Sequence, residues 1–158
     1  MNYVFDTSAT VVLIETCCLG EALRTFGHTN KLVAPKRVNV EYMSGTRPER
    51  DPGIFEKIFE IVDVLVDSEL LPYFGFDADC GEINVISYAL HNEKSCCVID
   101  EGFGRRICAL FGLPLIGSVG IINELRRLGL ISRGETSSIR RRLRRSSFYL
   151  SRELLRGI

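Results

Sequence analysis

Short apolar runs alternate along this chain with longer stretches whose apolar residues recur at helical spacing. Tyr3-Val4-Phe5, Lys31-Leu32-Val33, residues 95–99 and Leu113 to Ile116 read as strands. Between them, Ala9 to Leu19, Glu21 to Phe26, Ile54 to Ile61, Asp79 to about Asn92, residues 103–111 and Val119 to Leu128 read as helices. Gly20 interrupts the first of these and Gly129 stops the last. Pro35 suits the first turn of a helix carrying Val38, Val40 and Glu41. Residues 62–66, "VDVLV", fit a strand or the end of the preceding helix, because so short a run has no decisive period. The stretch "SGTRPERDPG" (44–53) is expected to be a loop and "PYFGF" (72–76) irregular. From Glu135 onward the tail reads as helix, with a break near "SSFYLS".

Strand and helix in alternation imply a parallel sheet with both faces covered. The expected class is α/β: a three-layer α/β/α sandwich around a central, mostly parallel sheet. Its 158 residues hold no internal repeat and no long linker, so one domain over 1–158 is expected, with 133–158 a basic helical extension of it.

Composition changes this picture little. At 46% hydrophobic and 25% charged it is that of a globular protein, and no apolar run is long enough to span a membrane. The opening "MNYVFDTSA" places an acid straight after a short apolar run and is not expected to act as a leader, which leaves a cytoplasmic location. Two of the cysteine pairs (Cys17-Cys18 and Cys96-Cys97) are sequence neighbours, and no CxxC spacing occurs. Reduced, mostly buried thiols are expected rather than disulfides or a zinc site.

Charge changes it more. The net charge is zero, yet residues 126–158 carry ten arginines against Glu135 and Glu153, a balance of +8 that the rest of the chain must offset. Such a basic surface beside an acidic one suits an anionic polymer, although a solvated helix face is the commoner meaning of a charge run.

The acids are where chemistry is expected. In an open parallel sheet, functional groups collect beyond the carboxyl ends of the strands. "YVFD" ends on Asp6 and "CCVID" on Asp100; "VNVEYM" offers Glu41 and "DCGEINVI" offers Glu82. Each has an ordinary alternative. Asp6 and Asp100 suit helix caps, Asp79 and Glu82 suit a capping box, and Glu41 suits a solvated face. Together they suggest more, since gathered carboxylates repel one another without a cation. Oxygen donors without neighbouring His or Cys favour Mg²⁺ or Mn²⁺, ions that serve phosphodiester cleavage.

On these motifs the chain resembles PIN-domain nucleases. "YVFDTSA" resembles the family's opening strand, acid and hydroxyl, and "VNVE" its second acid. Residues 79–132 resemble a prokaryotic VapC-like branch in which a Gly-Glu pair opens a helix, a strand ends in two acids and an arginine follows. "FYLSRELL" resembles that branch's final helix. The resemblance implies that Asp6, Glu41, Glu82 and Asp100 are catalytic and hold Mg²⁺ or Mn²⁺. It implies that Ser8, Glu101, Arg105 and Ser118 support these acids or face phosphate. Glu101 stands where the branch usually has Asp, Ser118 where Thr is commoner, and Asn84 and Val85 where an acid or Ala is usual. The activity implied is a metal-dependent endoribonuclease acting on RNA, the toxin of a toxin–antitoxin pair, with a small antitoxin protein or a second copy as partner and no membrane. A non-catalytic PIN-like module that binds RNA or a protein is the alternative. A phosphotransfer receiver of similar fold fits less well, because the lysine such sites use is not where expected.

Overall fold

A computed structural model describes residues 1–45 and 52–146. The chain runs β1 (Asn2–Phe5), α1 (Thr7–Val11), a π-helical turn (Val12–Thr16), α2 (Gly20–Phe26), β2 (Lys31–Pro35), α3 (Lys36–Ser44), α4 (Pro52–Ile58) and β3 (Glu60–Val62). It continues through α5 (Leu71–Phe74), a 3₁₀ turn (Gly75–Asp77), α6 (Gly81–His91), β4 (Ser95–Val98), α7 (Gly102–Leu110), β5 (Leu115–Ile116), α8 (Ser118–Arg127) and α9 (Arg133–Arg145). The strands form one sheet in the order β3-β2-β1-β4-β5, with every neighbouring pair parallel. Helices cover both faces, giving the expected three-layer α/β/α sandwich.

That order decides where a site can lie. The chain winds outward from β1 through β2 to β3, then returns to the other side of β1 for β4 and β5. The reversal falls between β1 and β4, and a crevice opens there beyond the strands' carboxyl ends. Phe5 pairs with Val98 in register, so Asp6 and Asp100 leave adjacent strand ends at this point.

The central strands are buried on both faces, which explains why they read as unbroken apolar runs. Val4, Phe5, Cys97, Val98 and Ile99 have no exposed surface. Phe5 leans on Phe59 with ring centroids 5.0 Å apart, and Phe59 on Phe55 at 4.8 Å. All six cysteines are free thiols.

Several sequence expectations are corrected. The first helix does not run unbroken to Leu19: it begins at Thr7 and widens into the π-turn, where the Cys17 N–H reaches the Val12 carbonyl at 2.9 Å. The helix expected over Ile54 to Ile61 ends at Ile58, and Glu60–Val62 forms β3 beside β2. Its Ile-Val pair carries strand preference into an apolar run whose period is ambiguous. The capping box expected from Asp79 to Glu82 is absent, because Cys80 is the N-cap and Asp79 is exposed, pairing with Arg37 at 3.4 Å. A capping box forms instead at α9, where Ser132 and Glu135 satisfy each other's backbone. Most of the loop expected over 44–53, the break near "SSFYLS" and the helix "FYLSRELL" lie outside the described residues.

Candidate functional site

Asp6 is 3% exposed. It caps α1: its carboxylate accepts from the Ser8 hydroxyl at 2.8 Å and the Ser8 N–H at 3.4 Å. Burial raises its pKa to about 6; the bonds from Ser8 and Thr7 oppose the rise, and the charge of Glu41 adds to it. The capping and site roles coincide in one residue.

Glu41 sits on α3, half-buried rather than on a solvated face. Its Oε2 accepts from the Thr7 hydroxyl at 2.5 Å. Its Oε1 accepts from the Gly81 N–H at 2.9 Å and from Arg37 Nε at 3.3 Å. The carboxylate thereby ties α3 to the start of α1 and the start of α6. Gly81 is the residue that permits this, since a Cβ there would lie 2.7 Å from Oε2. Sequence reasoning missed Thr7 in favour of Ser8. A hydroxyl directly after the strand-terminal acid was the available signal.

Glu82, the second residue of α6, is the least satisfied acid. Its Oε1 is buried and has no hydrogen-bond partner. Its pKa is pushed up to about 7, first by burial and then by the charges of Asp6, Glu101, Glu41 and Asp77. It rests against the backbone of α7, where a Cβ on Gly104 would stand 3.0 Å from Oε1. Gly104 therefore supplies room for the acid.

Asp100 behaves differently. It does not cap α7, the helix that follows it. Its Oδ1 accepts from the Ser118 N–H at 2.8 Å and its Oδ2 accepts a short bond from the Ser118 hydroxyl. It thus satisfies the first turn of α8, which Gly117 precedes without a side chain of its own. Arg105, expected to support these acids or face phosphate, donates to the Ile99 carbonyl at 2.8 Å. That bond braces the end of the β4 segment that presents Asp100. Glu101 is exposed at the N-cap of α7, and its charge reaches Glu82.

Asp6, Glu41, Glu82 and Glu101 thus share one electrostatic neighbourhood, while Asp100 is engaged at the adjoining corner with Ser118. Among the described residues, no three His, Cys, Asp or Glu side chains stand as a formed metal cage. The donor set nevertheless fits a hard cation. Every group offered is oxygen, and Glu82 holds a buried oxygen unpartnered among acids whose repulsion a cation would relieve.

The same repulsion predicts a pH dependence in metal-free protein. Asp6 and Glu82 ionise less readily folded than unfolded, so the stability they contribute is full below the ordinary carboxyl range. It is lost as pH rises through about 6 for Asp6 and about 7 for Glu82. The loss at Asp6 is on the order of 3 kcal/mol, with less from half-buried Glu82 because solvent screens it. In urea titrations with EDTA, Asp6→Asn should gain stability relative to the wild type as pH rises from about 4 to about 7. A difference between the two proteins that is flat with pH would contradict this.

An all-parallel α/β/α sheet with acids gathered at its switch point is the framework of a nuclease-type domain. The PIN-domain family model matches residues 2–158, and the chain belongs to that family, whose members are generally nucleases and typically use divalent metals. No curated protein and no solved structure compared with it matches.

Proposed function

We propose that this PIN domain is a divalent-cation-dependent endoribonuclease of the VapC-like branch, the toxin of a toxin–antitoxin pair acting in the cytoplasm. The observation that carries the reading is the buried, unpartnered Glu82 oxygen amid Asp6 and Glu41 at the sheet's switch point. Asp6, Glu41, Glu82 and Asp100 would hold Mg²⁺ or Mn²⁺, with Glu101 near enough to add charge. The bound cation supplies charge neutralisation and Lewis-acid polarisation at a phosphodiester.

The chain's own residues then have definite tasks. The Ser8 hydroxyl orients Asp6, and Thr7 with the Gly81 N–H fixes both oxygens of Glu41. Ser118 orients Asp100, and Arg105 holds the Ile99 carbonyl so that the strand end keeps its aim. Without a cation, Glu82 stays partly protonated at neutral pH, which limits charge repulsion among the acids. Hydrolysis would leave a 3′-hydroxyl and a 5′-phosphate. A small antitoxin protein or a second copy is the proposed partner. Among the described residues no helix is long and apolar enough to cross a membrane.

A second reading, a non-catalytic module that binds RNA or protein, has one observation on its side: both oxygens of Asp100 are already occupied by Ser118. Incubating labelled RNA with the protein and Mn²⁺ or Mg²⁺, and in parallel with EDTA, separates the two. The ribonuclease cuts with metal, stops with EDTA and leaves 5′-phosphate ends. Intact RNA after incubation with folded, metal-supplied protein would favour the binding module.

A further inference from the structure

Two ring pairs join α5 to the α7 segment. Phe74 meets Phe103 edge-to-face with centroids 5.1 Å apart, and Tyr73 meets Phe111 at 5.9 Å. Phe74 is buried, whereas Phe103 keeps 38% of its surface in solvent. Phe103 stands in the first turn of α7, between two residues that bear on Glu82. The charge of Glu101, the N-cap, reaches Glu82, and a Cβ on Gly104 would stand 3.0 Å from Glu82 Oε1. Consecutive Cα atoms are about 3.8 Å apart, so the ring emerges at the rim of the acidic site. The loop after Phe74 leads to the same place, since the charge of Asp77 also reaches Glu82.

Arg106 is exposed one turn further along α7, its guanidinium carbon 5.8 Å from the centroid of the Phe103 ring. That is the outer reach of a cation–π contact, so the guanidinium can turn to a phosphate while Phe74 keeps the ring in place. An anchored aromatic face with a guanidinium at its edge matches a nucleotide. The base stacks on the ring, and the phosphate pairs with the arginine. Bases within a duplex are stacked on one another, which leaves single strands as the ligand. Tyr73 is more exposed, at 46%, but its partner Phe111 lies about 12 Å further along α7 than Phe103, away from Glu82. The ring beside the acids is Phe103.

We infer that Phe103, with Arg106 at its edge, is the platform on which a base of single-stranded RNA stacks beside the acids that cut the chain. The identity of the ligand as RNA rests on the ribonuclease reading above. The test is anisotropy of two fluorescein-labelled RNAs of equal length in EDTA at ~0.1 M salt. One is a single strand of mixed sequence; in the other every base is replaced by an abasic ribose. Phe103→Leu keeps an apolar side chain against Phe74 and removes the π face. It should bind the base-bearing RNA about 10-fold more weakly than the wild type does, and the abasic chain equally well. Phe103→Trp keeps a π face and should bind at least as tightly as the wild type. Tyr73→Leu, which removes the other exposed ring, should bind as the wild type does. Arg106→Gln should weaken both RNAs, with a log–log salt slope shallower by about 0.7.

An unchanged affinity of Phe103→Leu for the base-bearing RNA would overturn the platform. So would an equal loss on the abasic chain, or an equal loss in Phe103→Trp, since the residue would then act through packing. An equal loss in Tyr73→Leu, or no binding of either RNA by the wild type, would overturn it too. Because binding is read without metal, the two proposals fail separately. A protein that never cuts RNA but shows the base-dependent loss in Phe103→Leu keeps the platform and defeats the ribonuclease. One that cuts RNA while Phe103→Leu binds normally does the reverse.

Discussion

Asp6→Asn should lower the single-turnover rate of RNA cleavage by about 10³-fold while the protein keeps its fold. Asparagine is as good an N-cap as aspartate, so α1 and the contact with Ser8 can persist. What disappears is one negative charge at the point where the sheet reverses direction. A catalytic cation is worth several kcal/mol of charge stabilisation, and about 1.4 kcal/mol corresponds to tenfold in rate. Losing one anionic donor among four is expected to forfeit most of that. The substitution also relieves Glu82, whose pKa is raised in part by Asp6. The inactive variant should therefore be at least as stable as the wild type at neutral pH without metal. Cleavage by Asp6→Asn at close to the wild-type rate would remove Asp6 from the site.

Phe5→Ala should cost about 3–5 kcal/mol of stability, a large part of what a domain of this kind possesses. The ring has no exposed surface and packs on Phe59 at 5.0 Å, within a row that continues to Phe55 and Tyr42. β1 is the central strand, paired on both edges, so its neighbours cannot collapse into the space without shifting β2 or β4. Urea denaturation with linear extrapolation measures the loss. A change under about 1 kcal/mol would mean that the core around β1 relaxes freely, against the close packing described.

Much of this architecture was legible in the sequence because the signals were local. Strands β1 and β4 read as apolar runs ending in acids, whereas their adjacency is set by the strand order that the structure shows. The failures share a physical cause. β3 was obscured because Glu60–Val62 straddles the end of the helix expected over Ile54 to Ile61 and the short run 62–66, which fits helix and strand patterns alike. Asp79 has the residue type and spacing of a cap, but α6 begins one residue later, at Cys80, and the exposed Asp79 pairs with Arg37. The roles of Thr7 and Gly81 depend on Glu41, some forty residues from Gly81, and no local pattern encodes such a contact. Arg105 was read from its position after two acids, and the structure adds that it donates to the carbonyl at the end of the preceding strand segment. The four acids themselves were named from sequence and resemblance. The structure adds that Glu82 is the unsatisfied one and that Asp100 is joined to Ser118.

The most direct test of this account is calorimetric titration of Mn²⁺ into the wild-type protein, Asp6→Asn and Glu82→Gln at about pH 8, where both acids are ionised. Saturable binding to the wild type, weakened at least about tenfold in each variant, is the result predicted from four oxygen ligands around one cation site. No saturable binding to folded wild-type protein, or equal binding by all three, would show that these acids do not form a metal site.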